Sequence, residues 1–219
     1  MVARLLVMSF CLLLLNACVS TNVEQIRQAS TGILESESIV VMGRKNRSSV
    51  SETEEDFVAC VNNKLSRNST GFGVIPQKEF TDALFPWFEP RTAPLDSAEL
   101  PKMLTEPLIA ARLKEIGVHY IVWIQGSTDR VDQAGAMSCV ATIGAAGCFG
   151  FLTWENDATY EASIWNVQTG TSAGNISSDA NGTSFVTGVV VPIPIIARVQ
   201  SAACTGLSNQ LSSFIRNET

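Results

Sequence analysis

The spacing of apolar residues changes several times along this chain, and each change marks a different kind of segment. Residues 5–15 are apolar except for Ser9 and follow the positive charge of Arg4. That run is too short to cross a bilayer as a helix and has the length of an export signal's central segment. Residues 19–37 are polar and show no clear period, which predicts a flexible tether with a reach of roughly 25 Å. Ile39, Val40 and Val41, ending at Gly43, predict a first strand. Ser51 and Glu54 then stand in capping-box spacing ahead of Phe57, Val61 and Leu65. Those three recur every fourth position and predict an amphipathic helix with acidic residues at its positive end.

Further along, residues 71–76 predict a short strand closed by Pro76, and residues 77–84 one or two helical turns. Residues 85–101 hold Pro86, Pro90, Pro94 and Pro101, which excludes a regular helix or a central strand. A helix is predicted over 107–116, with Gly117 as its cap. Residues 118–126 are almost wholly apolar, as in a strand buried on both faces. Residues 133–153 form an insert rich in glycine and alanine that contains Cys139 and Cys148. Tyr160, Ala162 and Ile164 alternate with polar neighbours, a turn follows at 168–170, and a polar return strand occupies about 171–179. Residues 184–196 are apolar but broken by Gly188, Pro192 and Pro194. Val199, Ala203, Leu207, Leu211 and Phe214 mark a last amphipathic helix. The order β-α-β-α-(proline loop)-α-β-β-β-α predicts a two-layer α/β domain. In this α+β sandwich, a mixed sheet carries its helices mainly on one face.

Composition narrows the chemistry. The chain has 219 residues, a formal charge of −6, 46% apolar and 16% charged residues, enough to build a core. No basic run is present, so nucleic acid is not an expected partner. The single histidine, His119, excludes a multi-histidine metal site. No nucleophile-elbow, phosphate-loop or dinucleotide motif occurs, and neither catalytic residues, a metal nor a cofactor is expected. His119 reads as a strand-end residue bonded to backbone, and Trp123 as core.

The apolar run ends in Leu15, Asn16, Ala17 and Cys18, which resembles a bacterial lipobox. It implies a signal peptide over 1–17, an acylated Cys18 heading the 18–37 tether, and a single domain over 38–219. Val19 follows the cysteine where aspartate would mark inner-membrane retention. The expected location is therefore the periplasmic face of the outer membrane, with membrane lipid as the partner of Cys18. Six cysteines are present; with Cys11 and Cys18 set aside, Cys60, Cys139, Cys148 and Cys204 remain. Four cysteines in an oxidising compartment allow three pairings, and no CxxC spacing points to zinc. Phe85, Trp87, Phe88 and Arg91 in the proline loop are the candidate partner-binding residues, because aromatics and arginine dominate contact hot spots.

Several segments together resemble a known family. They are a Phe72-x-Val74-Ile75-Pro76 strand followed by Gln77 and Glu79, a helix ending in Gly117-Val118, the strand from His119 to Gly126, and the Trp165-to-Gly170 turn. This pattern is similar to the anticodon-binding-like α/β domain of bacterial envelope proteins. Examples are the curli-secretion lipoprotein CsgG, the peptidoglycan-synthase activator LpoB and the N-terminal domain of TolB. The long paired amphipathic segments of a secretion barrel are not evident, and the 133–153 insert is either a short relic of such a segment or a loop. The resemblance implies a non-catalytic protein-binding, assembly or regulatory module of the envelope. The alternative is a subunit of an oligomeric secretion or trans-envelope assembly; an envelope hydrolase would need a site that no motif supplies. In the resembled fold the first and last helices lie side by side, which implies a Cys60–Cys204 bond. Cys139 and Cys148 flank a Gly/Ala-rich turn and are expected to pair locally.

Overall fold

The computed structural model describes residues 19–44, 52–68, 71–89 and 91–218. Ser51 and Cys18, on which the capping box and the acyl anchor depend, lie outside the described residues. So does Pro90.

Seven strands form one mixed sheet in the order β1-β6-β5-β4-β2-β3, with β7 added to the outer side of β6. They are β1 (Val19–Arg27), β2 (Ser38–Gly43), β3 (Gly73–Ile75), β4 (Val118–Thr142), β5 (Ala145–Asn166), β6 (Thr171–Val190) and β7 (Pro192–Ile195). β2 pairs in parallel with β3 and β4, and the remaining pairs are antiparallel. The two long helices, α1 (Glu55–Asn68) and α5 (Val199–Ile215), share one face of the sheet. Phe57, Val61 and Leu65 of α1 and Ala203, Leu207, Leu211 and Phe214 of α5 are all buried there, against Tyr120, Val122, Tyr160, Ala162 and Ile164. A smaller set of elements covers the other face of β2 and the start of β4. It comprises α2 (Gln77–Ala83), the proline loop, α3 (Leu100–Leu104) and α4 (Pro107–Glu115). The fold is thus the expected mixed α/β type, one domain with its helices largely on one face.

Disulfides join Cys60 to Cys204 and Cys139 to Cys148. The first ties α1 to α5; the second ties β4 to β5.

Two segments depart from the expectations drawn from sequence. Residues 19–37 are not a loose tether. Val19–Arg27 is an edge strand in register with β6, from Val19 opposite Gly182 to Arg27 opposite Gly174. Val19 and Val23 pack against the α5 side of the core. At the strand's end, the Arg27 guanidinium lies 4.0 Å from the Phe214 ring centroid and donates to the Phe214 carbonyl at 3.2 Å. A cation at the end of α5 suits the helix dipole. Tyr120 holds Gly32 through both its N–H and its carbonyl. The strand escaped notice because Thr21 and Gln25 share its inward face with Val19, Val23 and Arg27, so no apolar alternation is visible.

The second departure is larger. The glycine-rich insert is not a loop. β4 and β5 run antiparallel without a break from Tyr120 opposite Asn166 to Thr142 opposite Ala145, apart from one bulge at Val131. β6 continues beside β5 to Val190. Long paired strands are therefore present after all.

Candidate functional site: the projecting ribbon

Beyond the Val131 bulge the sheet leaves both helix layers behind and continues as a ribbon of β4, β5, β6 and β7. Bulges increase local twist and re-aim a strand, and this one sits where the packed part of the sheet ends. Two glycines permit the strands' close approach. Gly135 and Gly150 have φ of +92° and +139°, and a Cβ on either would lie 2.2 Å and 2.3 Å from a carbonyl oxygen of the neighbouring strand. A two-residue turn, Ile143-Gly144, closes the tip, with Gly144 at φ +102°.

The ribbon carries no charged residue between Gln133 and Trp154, nor between Ala180 and Ala197. Asp129, Arg130, Asp132, Glu155, Asp157, Asp179 and Arg198 mark where it begins. Register assigns its faces. Val140, Phe149 and Phe151 share one face with Phe185, Ile193 and Ile195 across β6 and β7. The Phe151 and Phe185 rings lie 6.2 Å apart on that face. Val140 is 59% exposed and Phe149 57% exposed, so the packed core does not account for them. The opposite face is slimmer: Gly135, Gly150 and Gly188 interrupt it, and the Cys139–Cys148 bond crosses it.

The ribbon's two borders differ. On the β4 side, β2 pairs only as far as Ile124, and the Glu54 carboxylate takes the Thr128 N–H at 2.7 Å. Among the described residues no strand pairs with the outer border of β4 from Arg130 to Thr142. On the other side β6 is covered by β1 up to Gly182 and by β7 from Phe185 to Gly188. β7 carries Pro192 and Pro194, which have no N–H to offer. The unprotected border is that of β4.

No protein-family model and no curated protein matches this chain. Solved structures do. The PelC dodecamer from Paraburkholderia phytofirmans is 12% identical, with 89% of this chain and 97% of that chain covered at a TM-score of 0.39. A second crystal form of that dodecamer, carrying a single substitution, is 11% identical over 90% of this chain and 99% of its own, at a TM-score of 0.42. Lipoprotein GNA1162 from Neisseria meningitidis is 12% identical over 81% of this chain and 99% of its own, at a TM-score of 0.35. None of the three is CsgG, LpoB or TolB. At these identities the likeness is to the general course of the chain, and no residue role carries over from it.

The other candidate residues are dispersed. In the proline loop Phe88 belongs to the core, edge-on to Phe80 with centroids 5.0 Å apart. Trp87 is half-buried against the same cluster, while Phe85 and Arg91 are exposed. Phe88 therefore drops out of the contact set. His119 finds its ring partner in Glu37, with Nδ1 2.7 Å from Oε1, rather than in the backbone. Burial pushes the Glu37 carboxyl up, but the Leu34 N–H and the His119 ring together hold it below its usual value. Tyr160 stacks on Phe57 and donates to the Glu54 carboxylate at 2.8 Å. Its pKa is pushed up to about 12, first by burial and then by that carboxylate, so the phenol stays a donor.

A cavity of about 600 Å³ opens at the carboxyl end of β2, bounded by Asn62, Gln77, Lys78, Phe88 and Trp123. The connections after β2 and β3 pass to opposite faces there, the usual place for a ligand crevice in such sheets. His119 sits at the other end of β2 and takes no part in the cavity, whose lining includes Glu52, Glu55 and Lys78. Among the described residues no group of histidine, cysteine, aspartate or glutamate is arranged to hold a metal ion. No described helix is long and apolar enough to cross a membrane.

Proposed function

We propose that this chain is a non-catalytic, lipid-anchored subunit of an oligomeric trans-envelope assembly, joined to its neighbours through the ribbon. The observation that carries this reading is the open outer border of β4. A long, uncharged, unpaired edge strand is a template for another strand, and soluble monomers blunt such edges with charge, proline or cover. β7 is blunted in that way and β4 is not. A strand from a neighbouring copy would satisfy the free backbone groups of residues 130–142 by strand addition.

The lipobox places acylation at Cys18, and the missing aspartate after it favours the periplasmic face of the outer membrane. Phe85 and Arg91, exposed on the proline loop, are the residues through which a different envelope protein would be met. The test is the mass of the detergent-extracted protein, by native mass spectrometry and electron microscopy. A closed multimer is expected, and Met137→Pro, which removes a β4 N–H that points away from β5, should dissociate it without lowering the melting temperature of the domain. A monomer in wild-type extracts would refute the reading.

A further inference from the structure

We infer that the face of the ribbon bearing Val140, Phe149, Phe151, Phe185, Ile193 and Ile195 is buried in lipid hydrocarbon. This deepens the assembly reading and rests on it, since a ribbon can enter hydrocarbon only when a neighbour covers the open β4 border.

Three features of the molecule select lipid as the occupant of this face. The first is charge. Residues 133–154 contain none, and the charges resume on both strands at the same level, Asp132 standing opposite Glu155. An abrupt boundary across neighbouring strands is what a membrane surface requires; a protein partner would tolerate charges within the contact. The second is length. Residues 133–142 of β4 extend over about 33 Å at ~3.3 Å per residue, and a strand needs roughly 9–11 residues to cross hydrocarbon. The third is the position of the anchor. β1 starts at Val19, the residue after Cys18, and Val19 pairs with Gly182, where β6 enters the ribbon. No slack separates the proposed acyl chains from the ribbon's base. When those chains enter a leaflet, the ribbon is held at the same surface.

The two faces then have different surroundings. The phenylalanine-bearing face meets acyl chains. The slimmer face, with Met137, Leu152 and the Cys139–Cys148 bond, turns away from them. That difference distinguishes lipid burial from adsorption of a sticky surface.

The test is photolabelling of the full-length acylated protein in phosphatidylethanolamine/phosphatidylglycerol vesicles doped with a lipid whose acyl chain carries a diazirine. Adducts are mapped by peptide mass spectrometry, and oligomer mass is read on the same sample. Adducts concentrated at Phe149, Phe151, Val140 and Ile193, and scarce at Met137 and Leu152, are expected. Phe149→Arg should lower ribbon labelling by about tenfold or more, while Met137→Arg changes it by less than about twofold. Retention of the Cys139–Cys148 bond in both variants shows that the ribbon still forms. Multimers without ribbon adducts would overturn the lipid assignment and leave the assembly reading standing. Equal labelling of both faces would overturn the assignment of sides. Ribbon adducts on a monomer would instead refute the assembly reading.

Discussion

Opening the Cys60–Cys204 bond should cost this protein more than opening Cys139–Cys148, by an amount that follows from the chain length each one closes. The first spans a sequence separation of 144 and the second a separation of 9. In the chain-entropy treatment these loops correspond to about 5 and about 2.6 kcal/mol at 25 °C. Domain stabilities run to about 5–15 kcal/mol in total, so the first loss would leave little in reserve. The perturbations are the double variants Cys60→Ala with Cys204→Ala, and Cys139→Ala with Cys148→Ala. Alanine keeps the α1–α5 contact apolar, where Cys204 is fully buried. The assay is urea unfolding followed by tryptophan fluorescence. With a slope of ~2 kcal/mol per molar, the midpoint should fall by about 2.5 M in the first variant and by about 1.3 M in the second. Equal losses, or a larger loss from the short loop, would refute the reasoning. They would mean that the ribbon, not the α1–α5 pair, limits the unfolding transition.

Three further outcomes are expected. Gly150→Val puts a side chain at φ +139° and 2.3 Å from the Ala136 carbonyl oxygen, so it should abolish ribbon pairing; limited proteolysis would reveal new cuts between 133 and 154 with a nearly unchanged domain core. Tyr160 has its pKa raised to about 12 in the folded state, so the stability it contributes is complete below the ordinary phenol value of 10.0 and is lost as pH rises through about 12. Tyr160→Phe should therefore flatten the alkaline limb of the melting temperature, and an unchanged limb would show that another group sets it. Cys18→Ser should release the protein from membranes, and intact-mass analysis of the wild type should find acyl mass on a peptide starting at Cys18; a variant that stays membrane-bound with normal processing would rule the anchor out.

The packed half of this fold was legible because its residues obey a period. Tyr160, Ala162 and Ile164 alternate and are all buried. The run from Val118 to Ile124 is nearly continuous because β4 there is covered on both faces, by α1 and α5 on one side and the short helices on the other. The ribbon was not legible. Ala134, Gly135, Ala136 and Met137 occupy both faces in turn, so polarity does not alternate and size does not either. The charge-free stretch was visible in the sequence, but it gains meaning only when β5 and β6 are seen to be charge-free at the same level. The proline loop could be narrowed to core or contact patch but not resolved ring by ring, because no period runs through it; Phe88 fills the space beside Phe80 while Phe85 stays exposed.

The placement of β1 also imposes an order of events on the growing chain. Among the described residues its strand partner is β6, whose matching residues run from Gly174 to Gly182. The earliest described strand is therefore among the last pieces of the sheet to be laid down. Until some 150 later residues have been made, Val19–Arg27 has no template. The acylation proposed for Cys18 would fall in this interval, while the residues that follow it are still unpaired. Once β6 is in place, the same residues become the edge of the finished sheet, and the window shuts.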